Sequence, residues 1–155
     1  LSQDTDLEIF MTRNPKDPID AKGYLSKELN ATTWQKVFWG RAHWITKARK
    51  RYDCDTVVSI HTNAGGGSGV TSFYRNKRAG LRLASYITKE ITRYSPLSYR
   101  GTKQRRFALL RGAPQGCLVE CGFHDNPNDL KVLLDPKGVE QIAQGILKGI
   151  LLNLS

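Results

Sequence analysis

The sequence lacks the features of a membrane-spanning, disulfide-bonded or repetitive protein. No apolar run approaches the roughly 18 residues that a transmembrane helix needs. The first six residues have neither the basic start nor the apolar middle of a secretory signal peptide. The three cysteines are an odd number, which argues against a disulfide framework. These absences, together with the lack of repeats and low-complexity segments, favour a globular domain.

Acidic residues are also scarce relative to basic ones. The chain has 24 Lys and Arg against 14 Asp and Glu, a formal net charge of +10. The basic excess is concentrated at 47–51, 75–82 and 100–106. Such a balance suggests anionic partners, such as nucleic acid, an anionic membrane or an anionic cell wall. No helix-turn-helix, zinc-finger spacing or aromatic ribonucleoprotein motif is present, so we do not expect nucleic acid to be the partner.

The pattern of apolar residues predicts one α/β domain over residues 1–155. A chain of 155 residues can bury a substantial core. Strands alternate with helices of ten or more residues, which predicts a mostly parallel or mixed β-sheet with helices on both faces. The predicted strands are 7–11, 56–61, 70–74, 107–110 and 117–121. The predicted helices are 32–51, 79–94, 129–134 and 137–152, and residues 95–102 are predicted to form a loop.

Two predicted strands end in residues that can carry chemistry. The first runs from Thr56 to His61 and is followed by Asn63 and a run of three glycines. The second ends at Glu120, ahead of a glycine and several polar residues. The carboxyl edge of an open α/β sheet is where such folds place their chemistry, so one shared site is expected. For His61 alone, a structural histidine would be the more common explanation.

Glu120 and its flanking cysteines allow both structural and functional interpretations. A carboxylate that ends an apolar strand is costly to bury without a partner, which favours a function for Glu120. The structural alternative is a salt bridge to one of the many arginines. Cys117 and Cys121 share one face of their strand, and we interpret both as small hydrophobic residues of the core.

The two strand ends resemble a known family. Ser-Ile-His-Thr-Asn-Ala at 59–64 and Leu-Val-Glu-Cys-Gly-Phe-His-Asp-Asn at 118–126 are similar to two signature stretches of the zinc-dependent N-acetylmuramoyl-L-alanine amidases of the amidase type 3 family. These bacterial and phage enzymes cut peptidoglycan between the lactyl group of muramic acid and the first L-alanine. Weaker similarity extends along most of the chain, at 10–13, 100–111 and 141–150.

The resemblance implies roles for four residues. His61 would be a zinc ligand, and Glu120 would be the general acid/base. Zinc in such sites takes three protein ligands and activates water at neutral pH, while a carboxylate transfers the proton. Asn63 and Arg111 are candidate substrate-binding residues. Asn63 could orient a neighbour through a hydrogen bond, and Arg111 could bind a peptide carboxylate, although a surface arginine fits that position equally well.

The sequence also departs from the family pattern. The family's first strand ends in Gly-His-Gly, whose His is a zinc ligand, and a Glu on the following helix is another. Neither is found here, so we expect that strand and helix to be missing from the domain. The chain would then be a fragment, or a remnant that has lost zinc. His43 and His124 are candidate substitute ligands, although a structural histidine is the simpler interpretation of His43.

Three functions remain open at this point. The first is a zinc-dependent amidase acting on peptidoglycan, in the cell wall, outside the cell or in the periplasm, or as a phage lysis protein. Its basic surface could also bind anionic cell-wall polymers. The second is a catalytically inactive wall-binding or regulatory domain on the same fold. The third is a nucleic-acid binder, for which the basic helix end at 47–51 is the best argument.

Overall fold

The computed structural model describes residues 7–9 and 34–155. The side chains of residues 34–41 and Trp44 are not described. Residues 7–9 have no regular secondary structure. The helices are α1 (Trp34–Arg51), α2 (Ala79–Tyr94), α3 (Pro127–Leu134) and α4 (Pro136–Leu154), with a short 3-10 helix at Ala108–Leu110. The strands are β1 (Thr56–Asn63), β2 (Val70–Tyr74), β3 (Tyr99–Gln104) and β4 (Gln115–Phe123). None of the described helices is long and apolar enough to cross a bilayer.

The four described strands form one mixed sheet in the order β1-β4-β2-β3. β4 runs parallel to β1 and antiparallel to β2, and β2 runs parallel to β3. The carboxyl ends of β1 and β4 therefore lie at the same edge as the amino ends of β2 and β3. We call this edge the active edge. The predicted fold class, a single α/β domain with a mixed sheet, is confirmed.

Both faces of the sheet are covered. On one face, α2 and α4 enclose the larger core, in which Leu83, Ile87, Val119 and Ile146 are buried. On the other face, α1 and the 3-10 helix pack over Leu118. Cys117 and Cys121 are buried on the α2 face without a disulfide, as predicted. Burial raises the pKa of both thiols to about 12, so they are neutral and act as packing residues.

Three local predictions differ from the structure. β3 begins within the segment 95–102 that was predicted to be a loop, because its sequence is polar and four of its six residues are exposed. Residues 108–110, predicted to be part of a strand, form the 3-10 helix. Its buried leucines pack with Leu118 on the face of the sheet opposite the larger core. Of the predicted strand 7–11, residues 7–9 are not in a strand, and the other two lie outside the described residues.

Candidate active site

His61 and Glu120 are neighbours at the active edge. They are register partners in the parallel pairing of β1 with β4, and adjacent strands lie about 4.8 Å apart. Immediately beyond them the register slips, so that Asn63 pairs with Phe123. Gly122, within this irregularity, has a φ of +120°, which a residue with a side chain rarely adopts. The structure therefore brings together the two residues that the sequence predicts to share a site.

The carboxyl group of Glu120 lies in an unusual environment. Its Oε2 atom is buried and has no hydrogen-bond partner among the described residues. Desolvation raises the pKa of Glu120, while the nearby His124 imidazole acts in the opposite direction. The structural alternative for Glu120 was a salt bridge to an arginine. The described residues do not support it, since the ion pair found among them joins Arg93 to Glu90. A carboxyl group with a raised pKa is suited to accepting and returning a proton near neutral pH.

His61 is held by its own strand. Its Nε2 atom lies 2.8 Å from the Ser59 hydroxyl, two residues earlier on the same face of β1. A zinc site needs about three protein ligands, and the described residues contain no group of three His, Cys, Asp or Glu that could hold a metal ion. The described residues alone thus do not fit a complete zinc site, although the His61 imidazole is a suitable ligand.

The two candidate substitute ligands do not complete such a site either. His43 is exposed on α1. His124 is exposed just past the end of β4, with its Nδ1 atom 3.4 Å from the Thr62 hydroxyl. Neither joins His61 in a metal-binding group of three within the described chain.

The turn after β4 holds the glycine-rich loop that follows His61. The Asp125 carboxylate accepts hydrogen bonds from the backbone N–H groups of Gly65, at 2.6 Å, and Gly66, at 2.9 Å. The Asn126 side chain donates to the Gly67 carbonyl at 3.0 Å. The hydrogen bonds from the Gly65 and Gly66 N–H groups lower the pKa of Asp125. The loop and the turn form one rim beside Glu120. This rim was not predicted from the sequence.

The two candidate substrate-binding residues lie at opposite edges of the sheet. The Asn63 side chain accepts a hydrogen bond from the Ala64 N–H at 2.8 Å and so shapes the end of β1. Arg111 ends the 3-10 helix just before β4 begins at Gln115. The five steps along the strand from Gln115 to Glu120 span about 17 Å. The structure does not bring Arg111 and Glu120 together, which argues against a shared site.

A different arginine lies at the active edge. The Arg100 guanidinium carbon is 4.9 Å from the centroid of the Phe123 ring, and its Nη1 atom donates to the Ser68 carbonyl at 3.0 Å. Arg100 is the second residue of β3, whose amino end lies at this edge. The place of Arg100 at this edge was not predicted from the sequence, because its segment was predicted to be a loop.

Beside His61 is an open cavity of about 450 Å³. It is lined by His61 and Thr62 of β1 and by apolar side chains that include Ile60, Leu133 and Val139. Ile60 and Val139 are more than half exposed, at 59% and 51%. An apolar surface thus adjoins the end of β1 that carries His61.

The chain belongs to the N-acetylmuramoyl-L-alanine amidase family of type 3, whose sequence profile matches residues 2–151. It is 34% identical over 109 residues to the N-acetylmuramoyl-L-alanine amidase CwlM of Bacillus licheniformis, covering 68% of the chain and 43% of that protein. It is 33% identical over 105 residues to the germination-specific N-acetylmuramoyl-L-alanine amidase of Bacillus subtilis, covering 64% and 44%. The chain thus spans less than half the length of these curated relatives.

Solved structures of similar proteins have the same fold. The N-acetylmuramoyl-L-alanine amidase of Clostridium difficile 630 is 30% identical with a TM-score of 0.67, covering 73% of this chain and 64% of that one. The CwlD amidase of Clostridioides difficile, solved in complex with the GerS lipoprotein, is 25% identical with a TM-score of 0.69. That match covers 88% of this chain and 81% of the other. The family resemblance inferred from the two strand ends is confirmed.

Proposed function

We propose that this chain contributes the catalytic acid/base of a peptidoglycan hydrolase, which cleaves the amide between N-acetylmuramic acid and L-alanine. One observation carries the proposal: Glu120 is the register partner of His61 at the active edge, with a buried carboxylate oxygen that lacks a described partner. Membership of the amidase family supports the choice of bond.

Glu120 would move the proton in this reaction. As water attacks the lactyl carbonyl, the Glu120 carboxylate takes one proton from the water, and a carbon–oxygen bond forms. When the carbon–nitrogen bond breaks, the same carboxyl group returns that proton to the nitrogen of L-alanine. The products are the lactyl carboxylate and a peptide with a free amino terminus. The raised pKa of Glu120 suits this exchange, because the group holds and releases a proton closer to neutral pH.

Zinc is the cofactor that this proposal implies. When bound, it would polarise the carbonyl and increase the acidity of the attacking water. His61 would be one ligand, and further ligands would come from outside the described residues. The chain's own residues then act around the ion: Ser59 orients the His61 ring, and Glu120 handles the proton.

The proposed place of action is the cell wall. Peptidoglycan is the substrate, and the basic clusters would also attract anionic wall polymers over about 8–10 Å at physiological salt. All three clusters, at 47–51, 75–82 and 100–106, lie on described parts of the chain, and each includes an exposed arginine.

The test is hydrolysis of a soluble muramyl peptide in the presence of zinc, with appearance of the free L-alanine amino group as the readout. Glu120→Gln keeps the size of the side chain and removes its proton exchange, so we expect kcat to fall about 10²- to 10⁴-fold. Glu140→Gln is the matched control, because it removes one carboxylate from the exposed surface of α4. Its turnover should equal that of the wild type.

Two results would contradict the proposal. Near-native turnover in Glu120→Gln would show that another group moves the proton. Absence of turnover in the wild type, with muramyl peptide still bound, would instead favour the wall-binding domain on the same fold. Circular dichroism of each variant distinguishes loss of chemistry from loss of folding.

A further inference from the structure

Arg100 is an immobilised cation that the proposed chemistry does not use. Its guanidinium lies over the Phe123 ring and donates to the Ser68 carbonyl, so two contacts from two other segments hold it. A guanidinium has five N–H donors. Stacking on the ring uses none of them, and the hydrogen bond to Ser68 uses one. The side chain is nevertheless exposed. Arg100 therefore presents donors in a fixed direction at the active edge.

The charge of Arg100 is not compensated within the described chain. No described Asp or Glu lies within ion-pair distance of it. The two carboxylates that follow β4 already accept other hydrogen bonds. Asp125 accepts them from the N–H groups of Gly65 and Gly66, and Asp129 accepts them from Ser68, Gly69 and Phe123. An anchored guanidinium without a carboxylate partner is well suited to a bidentate contact with an anionic ligand.

The position of Arg100 matches the reach of a short peptide from the scissile amide. Phe123, on which the guanidinium stacks, follows Glu120 by three residues, or about 10 Å of extended strand. An extended peptide spans about 3.5 Å per residue, so groups within the first few residues beyond the cleaved bond reach this position. The glycan side carries no charge once its lactyl carboxyl group is in amide linkage. Fixed negative charge near that bond therefore belongs to the peptide.

We propose that Arg100 is a specificity-determining residue that binds a carboxylate of the stem peptide, one to three residues beyond the cleaved amide. The proposal rests on the proposed function and refines its substrate class to peptides with a free carboxylate in that region. It assigns to Arg100 the peptide-carboxylate contact considered for Arg111, because Arg111 lies at the other end of β4.

The test measures binding separately from cleavage. Two N-acetylmuramoyl-L-alanyl dipeptides are compared, one ending in a carboxylate and the other in the neutral carboxamide, with Glu120→Gln as the parent protein so that neither is consumed. We expect the parent to bind the carboxylate form about 10-fold or more tightly, the usual value of a charge-assisted hydrogen bond. Adding Arg100→Gln should remove this preference, and Arg100→Lys should retain part of it.

A matched control and two outcomes make the result decisive. Arg106→Gln removes the same charge from the same basic cluster, but beyond the far end of β3, and should leave the preference intact. If Arg100 only orders the loop, Arg100→Gln weakens both peptides equally and the preference survives, which overturns the proposal. Equal binding of the carboxylate and carboxamide peptides by the Glu120→Gln parent overturns the proposal as well.

Cleavage assays with the wild type then separate this proposal from the proposed function. Cleavage of both peptides at equal rates, without a binding preference, would reject the role of Arg100 and leave the amidase assignment intact. A carboxylate preference in binding without any cleavage would reject the amidase assignment and leave the role of Arg100.

Discussion

Two carboxylates at the active edge have opposite environments. The Glu120 carboxyl is partly desolvated, which raises its pKa and prepares it for proton exchange. Asp125, five residues later, is fully exposed and accepts two backbone N–H groups, which lower its pKa and keep it ionised. The same chemical group thus has a raised pKa at one position and holds a loop as a carboxylate at the other, because burial and hydrogen bonding favour different protonation states.

Asp125 should control the order of the glycine-rich loop. Its folded-state pKa is depressed below the ordinary value of 3.8, so its contribution is complete above that pH and is lost as the pH falls through the lower folded value. We expect Asp125→Ala to speed hydrogen exchange at the Gly65 and Gly66 amides at pH 6 several-fold. In the wild type, the NMR shifts of those two amides should titrate with a midpoint below 3.8.

Asp55→Ala is the control for this prediction, since Asp55 is exposed at the beginning of β1, away from the loop. It should leave both exchange rates unchanged. Equal exchange at Gly65 and Gly66 in the wild type and Asp125→Ala would mean that the two hydrogen bonds do not hold the loop.

At the level of elements, the packing of α4 against α2 depends on two glycines. A Cβ atom at Gly145 would lie 2.5 Å from the Ile91 Cα, and one at Gly149 would lie 2.6 Å from the Ile87 Cα and N atoms. These neighbours are helix backbone, which cannot move aside as a flexible side chain can. The glycines therefore allow the two helices to approach closely and enclose the larger core.

Replacing either glycine should destabilise the protein. In an exposed helix, Gly→Ala is stabilising by about 1 kcal/mol. At Gly145 or Gly149 the added methyl group forces the helices apart, and we expect a loss of about 1–3 kcal/mol in the free energy of unfolding. Urea denaturation measures the change, with Lys148→Ala on the exposed side of the same helix as the control. A stabilising effect at Gly149 would show that the helices are not in close contact there.

At the scale of the whole molecule, the site depends on strands that are distant in sequence. His61 and Glu120 meet only because β4 inserts between β1 and β2 in the sheet. Any zinc site around His61 must extend further, since the described residues provide no group of three metal-binding side chains. Zinc binding at the proposed site would therefore need side chains from outside the described residues.

The proposed role of His61 predicts a specific pattern of zinc binding. His61→Ala should lower zinc affinity at least about 10-fold, as measured by competition with a chromophoric chelator, because a ligand nitrogen is removed. His43→Ala should bind zinc as the wild type does, since His43 is exposed on α1 and has no role in the proposed site. Unchanged affinity in His61→Ala, or its loss in His43→Ala, would contradict the assignment of His61.

Much of the fold could be predicted from local patterns. The apolar stripe of α2 predicted residues 79–94, which are its observed bounds, and that of α4 predicted a helix that the structure extends by one residue at the start and two at the end. β1 and β4 were predicted because they are mostly apolar. Periodicity reports burial of one side of an element, and this depends only on residues close in sequence. The ends of β1 and β4 also carry the family signatures, so His61 and Glu120 could be identified in advance.

Tertiary structure decided which residues meet. β3 is polar and mostly exposed, and it is a strand because β2 supplies its hydrogen-bond partners. Its pairing places Arg100 at the active edge, whereas the direction of β4 places Arg111 at the other end. The sequence by itself determined the apolar elements β1, β4, α2 and α4 and named His61 and Glu120 as candidates. Only the sheet order and register, which depend on contacts between distant segments, decided which arginine lies beside them.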